Sequence, residues 1–155
     1  MGRILLDTNV LSELMRPTPS AEVRNWFSQQ QNASYFVSAI TRAEILLGIA
    51  LLPPGKRRDS LASAAEQMFN EDFAERTLPF DGNCAAEYAL LVAERTRRGR
   101  SISTEDGQIA ATALSHDLSL ATRNGKDFEG IHGLNVLNPW AVRSGSDFQH
   151  VPGPQ

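Results

Sequence analysis

The sequence alternates short apolar runs with longer segments whose apolar residues recur at helical spacing, and this alternation restricts the fold more than any other feature. It is typical of βαβ units, in which parallel strands form a sheet and the connecting helices cover its faces. The runs that fit buried strands are Arg3–Asp7, Tyr35–Ser38, Thr77–Phe80, Ser119–Thr122 and Asn135–Leu137. Pro79 favours an edge position for the third run, because proline cannot donate a hydrogen bond to a neighbouring strand.

The segments between these runs are predicted to be helices. They are Asn9–Met15, Ala21–Gln31, Thr41–Leu52, Asp59–Glu71, Asn83–Arg98 and Thr104–His116. The Pro53-Pro54-Gly55 sequence ends the third helix, and Gly99 follows the fifth as a C-terminal cap. A length of 155 residues suits one domain. We therefore expect a single α/β domain over residues 1–142 and a flexible tail, rich in Gly, Ser and Pro, over residues 143–155.

Charge and cysteine content narrow the class of protein. The chain has 18 acidic and 15 basic residues, a net charge of −3, which argues against a protein that coats nucleic acid by bulk charge but permits a local basic groove. A single cysteine cannot form an internal disulfide, and the N-terminus does not resemble a secretion signal. The longest apolar stretch, Ile45–Leu52, is shorter than the roughly 18–20 residues that cross a bilayer. We expect a cytoplasmic protein.

Asp7 ends the first apolar run and is followed by Thr8 and Asn9. The carboxyl ends of parallel strands form the edge at which open α/β sheets bind ligands, so the Asp7 carboxylate is expected at a ligand-binding edge. Asp, Thr and Asn are also favoured at helix starts. For Asp7 taken alone, a capping role and a functional role remain equally good interpretations.

Two further carboxylates fall on helix faces that are predicted to point inward. Glu44 is spaced at helical intervals from Ile40, Leu47 and Leu51, which puts a charge on an apolar stripe. A buried carboxylate needs a partner, and a buried ion pair with an arginine other than Arg42, which is on the wrong face, is the alternative to a functional role.

Asp106 shares a helix face with Ile109, Ala110 and Ala113. Ser103, three residues before it, resembles the first residue of a capping box, so helix capping also explains this acid. Three carboxylates nevertheless lie at a strand end or on the inner face of a helix. Because clustered carboxylates repel one another, a site that gathers them implies a divalent cation, and oxygen-only ligation selects Mg²⁺ or Mn²⁺ over zinc.

Four sequence blocks carry a family resemblance: ILLDTNVLSEL, SAITRAEILLGI, SISTEDGQIAATALSHDLSLATRNGKDFEGI and NVLNPW. They resemble the PIN-domain ribonucleases, and most closely the VapC toxins of bacterial toxin–antitoxin pairs in their FitB-like branch. The resemblance runs from about Ile4 to Trp140. It implies an α/β fold, a PIN-like three-layer sandwich with a central five-stranded parallel sheet flanked by helices. It also implies a metal site at the carboxyl edge of that sheet and cleavage of RNA.

Asp7, Glu44 and Asp106 match the first three acidic positions of the family. The fourth position departs from it, because Asn124 stands where many relatives have an acid. An amide oxygen can ligate a metal but brings no negative charge, which makes a second metal ion less secure. Asp127 is the alternative fourth acid if its loop curls back, although a solvated loop acid is the favoured interpretation.

The mechanism that the resemblance implies is metal-assisted phosphodiester hydrolysis. Asp7, Asp106 and Glu44 would hold Mg²⁺ or Mn²⁺, Glu44 would orient or deprotonate the attacking water, and Asn124 would complete the shell. The products would carry 5′-phosphate and 3′-hydroxyl ends. Thr8 and Asn9 could contact a phosphate oxygen, and a helix-start role explains them equally well.

Positive charge needed to attract RNA is concentrated in and after the predicted fifth helix. The residues are Arg95, Arg97, Arg98 and Arg100, with Arg123 and Lys126 further on. Arg98 and Arg123 are the candidates for phosphate contacts, which position a substrate without reading its sequence. A solvated helix end is the alternative interpretation of this basic run.

Partners are implied by the resemblance alone. They are a cognate VapB-like antitoxin that covers the active cleft, an RNA substrate of the tRNA, rRNA or mRNA class, and a second copy of the chain. Ala21–Gln31 and Thr41–Leu52 are the candidate dimer surfaces, a higher assembly with the antitoxin is also implied, and no membrane is involved. A catalytically weak PIN domain that binds RNA or acts as a scaffold is the alternative function.

Other chemistries have less support. His116 ends a helix, His132 lies in a loop and His150 in the tail, which does not favour histidine-based RNA cleavage. The single Cys84 and the absence of closely spaced histidines disfavour zinc. Cys84 is expected to be a small buried thiol near a helix start.

Overall fold

The protein is described here from a computed structural model covering residues 2–141. The predicted tail, with His150, lies outside these described residues. All five predicted strands form: β1 (Arg3–Leu6), β2 (Ser34–Ser38), β3 (Thr77–Leu78), β4 (Ser119–Ala121) and β5 (Val136–Leu137). They pair in parallel in the order β3-β2-β1-β4-β5. The predicted parallel sheet and the edge position of the Pro79 run are confirmed.

Six α-helices connect and cover the strands within the described part of the chain. They are α1 (Thr8–Leu14), α2 (Ala21–Gln29), α3 (Ala39–Ala50), α4 (Lys56–Gln67), α5 (Gly82–Arg97) and α6 (Thr104–Ser115). A π-helical turn (Met68–Asp72) extends α4, and a 3₁₀ turn (Gly125–Phe128) follows β4. Gly99 has φ +69°, so the predicted glycine cap after α5 is confirmed.

The least accurate boundaries are those of the fourth helix, which spans Lys56–Gln67 rather than Asp59–Glu71 before the π-helical turn continues it. The helix begins directly after Gly55, which ends the Pro53-Pro54-Gly55 sequence. Lysine and arginine are good helix formers, so Lys56 and the two arginines after it join the helix. The α3 helix begins at Ala39, earlier than predicted, because Ser38 at the end of β2 caps it: the Ser38 hydroxyl accepts a hydrogen bond from Thr41 N at 3.0 Å.

The sheet separates two apolar layers. Ile4 and Leu6 face one side and pack with Val10, Trp26 and Phe69, whereas Leu5 faces the other side with the buried residues of α6. This alternation follows from the two-residue period of a strand. Both faces of the sheet are covered by helices, so the predicted three-layer sandwich is confirmed. Among residues 2–141, no helix has the length and apolar character needed to span a membrane.

Candidate active site

The candidate site lies at the carboxyl edge of the central strand. β1 ends at Leu6, the backbone N–H of Asp7 donates to Ala121 O of β4 at 2.9 Å, and Asp7 then caps α1. β2 and β3 lie on one side of β1, and β4 and β5 lie on the other. The strand order therefore reverses at β1, since the connections from its two neighbours run to opposite sides. Such a reversal leaves a crevice at the carboxyl ends of the adjacent strands.

Asp7 is almost fully buried, with 4% of its surface exposed. Its Oδ1 accepts a hydrogen bond from Thr8 N at 2.8 Å, and its Oδ2 accepts from Thr122 Oγ1 at 2.8 Å and from Asn9 Nδ2 at 3.3 Å. Burial raises the pKa of Asp7, against the lowering effect of the Thr122 and Thr8 hydrogen bonds. The capping prediction is confirmed, and it is compatible with a ligand-binding role, because a carboxylate offers about four acceptor positions.

Thr122 and Asn9 hold the Asp7 carboxylate in place by donating hydrogen bonds to its Oδ2. Thr122 is fully buried, and its hydroxyl accepts from Asn124 N at 3.1 Å while it donates to Asp7. Asn9 Oδ1 accepts from Arg123 N at 3.1 Å. The site at the end of β1 is therefore connected to the segment that follows β4. Sequence reasoning missed Thr122, whose only signal is its position directly after an apolar strand.

Glu44 enters the crevice from α3 and is half-buried. Thr8 Oγ1 donates to Glu44 Oε1 at 3.0 Å and lies 3.0 Å from Thr41 Oγ1, so Thr41 is the donor to Thr8. Burial raises the pKa of Glu44, and the nearby charge of Asp106 raises it further. The alternative interpretation, a buried ion pair with an arginine, is not observed: within residues 2–141 Glu44 makes no ion pair.

The apolar stripe predicted for Glu44 is wrong in one respect. Leu47 and Leu51 do not enter the core, since they are 59% and 76% exposed. The buried face of α3 consists of Thr41, Ile45 and Ile49 instead. Glu44 therefore lies at the boundary between the buried face and an exposed apolar face, because the helix turns its most leucine-rich side outward.

Asp106 lies in the first turn of α6 and is half-buried. Ser103 Oγ accepts a hydrogen bond from Asp106 N at 3.1 Å, which confirms the predicted helix cap. Burial raises the pKa of Asp106, and the charge of Asp7 raises it further. Asp7, Glu44 and Asp106, which are distant in sequence, thus converge closely enough to influence one another's ionisation.

The segment after β4 contains Asn124, the residue predicted at the fourth acidic position of the family. Asn124 is exposed and precedes the 3₁₀ turn, and its backbone N–H is fixed by Thr122. Asp127 is an exposed loop acid, as predicted, but its charge raises the pKa of both Asp7 and Asp106. Asp127 is therefore a closer neighbour of the site than the sequence indicated.

The basic residues predicted to contact RNA lie in different environments, since one of them is buried and others are exposed. Arg95 is a correction: it is only 6% exposed, and its guanidinium donates to Asp127 O at 2.9 Å and to Glu129 O. It cannot contact RNA from that position. Arg98 is exposed and pairs with Glu94 at 2.9 Å. Arg123 is exposed beside Asn9, with its guanidinium 5.0 Å from the centre of the Trp140 ring.

A second group of metal-type donors was not expected from the sequence. Side-chain donor atoms of Asp81, Cys84 and His116 all lie within 4.8 Å of one another. Within the described residues no other group of three such side chains is that close, so the oxygen atoms of Asp7, Glu44 and Asp106 are more widely spaced. Sequence spacing gave no signal for this group, because the fold alone brings His116 to Cys84.

A comparison with protein families identifies the domain. The family model described as "PIN domain" matches residues 4–134. The chain therefore belongs to the PIN-domain family.

Within that family it belongs with the VapC- and FitB-type toxins. It is 46% identical to the plasmid stability protein StbB of Pseudomonas syringae pv. tomato, over 88% of this chain and 98% of that protein. It is 42% identical to a VapC ribonuclease of Sinorhizobium fredii, over 88% and 97% of the two chains. It is 44% identical to toxin FitB of Neisseria gonorrhoeae, over 88% and 98%. A structure of FitAB bound to a DNA fragment superimposes with a TM-score of 0.82 at 42% identity, covering 92% of this chain and 99% of the other.

Proposed function

We propose that this protein is a ribonuclease and the toxin of a toxin–antitoxin pair, and that a divalent cation is its cofactor. The observation that carries the proposal is the convergence of Asp7, Glu44 and Asp106 at one sheet edge, where each carboxylate has a raised pKa. The relatives add support, because one of them is named a ribonuclease and another a toxin.

The donor set fits Mg²⁺ or Mn²⁺. All three groups offer oxygen, and Asp7 accepts three hydrogen bonds, which leaves about one of its four acceptor positions free. Mg²⁺ keeps several of its waters and is bound by one or two carboxylates, so the wide spacing of the three acids suits it. Asp7 and Asp106 would hold the cation, with Glu44 contacting it or one of its waters.

The bound cation supplies two effects: it lowers the pKa of water and offsets charge on the phosphate. Glu44 then orients and deprotonates the attacking water. Its raised pKa makes it a better proton acceptor than an exposed glutamate, and the Thr8 hydroxyl holds Oε1 in place. Asn124 completes the polar lining, and Asp127 adds negative charge on the same side. The products would carry 5′-phosphate and 3′-hydroxyl ends.

Substrate contacts are proposed for Arg123 and, at the end of α5, Arg98. Arg123 is the stronger candidate because it is exposed next to Asn9, which itself contacts Asp7. Thr8 and Asn9 position carboxylates, so their contribution to RNA binding would come only through the site they support. Cleavage of separate tRNA, rRNA and mRNA pools distinguishes the three candidate substrates.

A VapB-like antitoxin is the proposed partner, and the cytoplasm the proposed compartment. A groove beside Glu44 is lined by apolar residues of α1, α3 and α4, among them Met15, Ile49 and Leu61. An antitoxin segment lying in this groove would cover Glu44. Leu46 and Leu47 of α3 and Leu51, which directly follows this helix, are exposed. They favour Thr41–Leu52 over Ala21–Gln31 as the surface for a second copy of the chain.

The test uses the full chain, purified free of antitoxin, with separate tRNA, rRNA and mRNA pools in Mg²⁺ or Mn²⁺. Asp7→Asn and Asp106→Asn are each expected to reduce the cleavage rate by about a hundredfold or more. Glu75→Gln, which removes an exposed acid away from the site, is the matched control and should cleave like wild type. Circular dichroism checks that each variant is folded.

The outcomes separate the two candidate functions. Equal cleavage by wild type and both site variants would contradict the acidic-site mechanism. Metal-dependent RNA binding without cleavage by any protein would favour the alternative, a catalytically weak RNA-binding or scaffold module.

A further inference from the structure

The donors Asp81, Cys84 and His116 lie where the first turn of α5 meets the end of α6. Asp81 caps α5, Cys84 lies in its first turn, and His116 directly follows α6. They come from two elements that pack closely in antiparallel orientation, and their donor atoms lie within 4.8 Å of one another. The group is thus assembled by tertiary packing and contains one sulfur, one nitrogen and one oxygen donor.

The protein satisfies these three side chains unequally. Asp81 Oδ1 accepts a hydrogen bond from Cys84 N at 3.0 Å, as expected for a helix cap. Nε2 of His116 is buried and has no hydrogen-bond partner among the described residues. Cys84 is fully buried, and its thiol contacts Pro79 O at 3.7 Å, a weak interaction. Buried polar groups are normally paired, so a histidine with an unpartnered ring nitrogen, in a group with a thiol and a carboxylate, calls for a ligand.

We propose that Asp81, Cys84 and His116 bind a divalent cation of borderline softness, of which Zn²⁺ is the representative. Thiolate and imidazole select Zn²⁺ over Mg²⁺. On binding, the Cys84 thiol loses its proton to solvent and forms the metal–sulfur bond. Thiolate and carboxylate together balance the charge of the ion, and exposed Asp81 leaves access for water as a fourth ligand.

The geometry requires only a small adjustment. Zinc–ligand bonds of about 2.0–2.3 Å in a tetrahedron place donor atoms roughly 3.3–3.7 Å apart. Since the three donors already lie within 4.8 Å, they need to close by about 1 Å, which side-chain rotation can provide. The C-terminal end of α6 favours a cation at His116, whereas the N-terminal end of α5, at Asp81 and Cys84, opposes one, so the helix dipoles do not decide the binding.

The proposed site is separate from the acidic crevice. The carbonyl of His116 accepts from Arg3 Nη1 at 3.1 Å, at the first residue of β1, whereas Asp7 follows the last. Four residues of strand place the two ends about 13 Å apart. A metal here would act structurally: it would fasten the start of α5 to the end of α6, the helix whose first turn carries Asp106.

The experiment titrates the full chain with Co²⁺, a coloured substitute for Zn²⁺, in excess Mg²⁺. We expect a near-ultraviolet band from thiolate–cobalt bonding, and its bleaching by Zn²⁺. Cys84→Ser should abolish the band, and His116→Gln should weaken Co²⁺ binding by at least about tenfold. His132→Gln is the matched histidine control, and Asp7→Asn shows whether the acidic crevice contributes. Both controls should keep the thiolate–cobalt band, whatever Co²⁺ the acidic crevice also binds.

Thermal unfolding in Zn²⁺ provides a second readout that does not depend on a thiolate band. In the same excess of Mg²⁺, Zn²⁺ should raise the Tm of wild type and Asp7→Asn but not that of His116→Gln. Absence of a thiolate band in wild type would overturn the proposal, and so would a Zn²⁺ effect that survives in His116→Gln but disappears in Asp7→Asn.

Discussion

Asp7 can cap helix α1 and also serve as a ligand for a cation. It is buried, which raises its pKa, yet it receives hydrogen bonds from a backbone N–H, a hydroxyl and an amide. These donors stabilise the ionised form without neutralising it. A cation that binds the ionised carboxylate therefore meets an acceptor that three donors already hold in place.

Asp106→Asn should stabilise the metal-free protein at pH 7. The pKa of Asp106 is raised by burial and by Asp7, so its ionised form lowers stability once the pH is above the raised folded pKa. That penalty disappears as the pH falls below the unfolded pKa, where both states are protonated. We expect the Tm to rise by roughly 1–3 °C at pH 7, with no gain near pH 3. An equal Tm difference at both pH values would contradict this explanation.

Thr122→Val should weaken the site while preserving side-chain volume. It removes the donor to Asp7 Oδ2 and leaves Asn124 N without its acceptor. We expect about 1–3 kcal/mol less stability and reduced Mg²⁺ binding, measured by chemical unfolding and calorimetry. Thr112→Val is the matched control, because Thr112 is equally buried but donates only within α6, to Gln108 O. Mg²⁺ binding that falls equally in both variants would contradict a specific role for Thr122.

Among single residues, the sequence predicts the acidic residues of the site better than the residues that hold them in place. Asp7 and Asp106 were recognisable because they follow a strand or begin a helix. Thr122 was not, since a threonine after a strand has no distinctive pattern. Arg95 was misassigned for a physical reason: in a run of arginines, only the helix phase and the position of the 125–129 segment decide which one is buried.

Among the elements, the contact between α5 and α6 leaves no space at Gly107. A Cβ at this position would lie 2.9 Å from Tyr88 Cε2. Gly107→Ala should therefore force the two helices or the Tyr88 ring to shift and lower stability by about 1–3 kcal/mol, measured by urea unfolding.

Gly48→Ala is the matched control for Gly107→Ala. Gly48 lies in α3 with nothing within 4 Å of an added Cβ, so alanine should raise stability by about 0.5–1 kcal/mol through helix propensity. If both substitutions change stability in the same direction, packing against Tyr88 is not the cause.

Arg95 joins α5 to the 3₁₀ turn that carries Asp127. Arg95→Met keeps much of the side-chain length but removes the donors to Asp127 O and Glu129 O. We expect a loss of about 2–4 kcal/mol and faster amide exchange in residues 125–129. Arg98→Met, which removes only an exposed ion pair, should cost less than about 1 kcal/mol. Unchanged exchange in Arg95→Met would contradict a positioning role.

The elements themselves were largely predictable, because apolar period and cap residues are local properties. Pro79 correctly marked an edge strand, and Gly99 a helix end. The outward face of α3 was not predictable, since Leu47 and Leu51 satisfy the spacing of a buried stripe as well as Ile45 and Ile49 do. Which stripe enters the core depends on where α1 and α4 lie.

For the molecule as a whole, the acidic site accounts for the excess of negative charge. The chain has 18 acidic and 15 basic residues, so the charges would balance without Asp7, Glu44 and Asp106. One bound divalent cation would bring the net charge from −3 to about −1, which reduces the repulsion of RNA by the protein.

Stabilisation by Mg²⁺ should therefore depend on pH. Cations bind deprotonated carboxylates, and the pKa values of Asp7, Glu44 and Asp106 are all raised, so protons compete with Mg²⁺ at higher pH than at exposed acids. The Tm increase at saturating Mg²⁺ should be largest near pH 8 and vanish toward pH 4. The metal-dependent increase should be absent in the Asp7→Asn/Asp106→Asn double variant at every pH. An increase independent of pH would contradict a carboxylate site.

The hydrogen bond between Thr122 and Asp7 joins residues 115 positions apart. A growing chain on the ribosome therefore carries its first acid from the beginning of synthesis but cannot assemble the pocket around it until β4 has emerged. Any product that terminates before Ser119 lacks half of the support of Asp7 and the whole fourth strand. The complete acidic site therefore cannot assemble until nearly the entire domain has been translated.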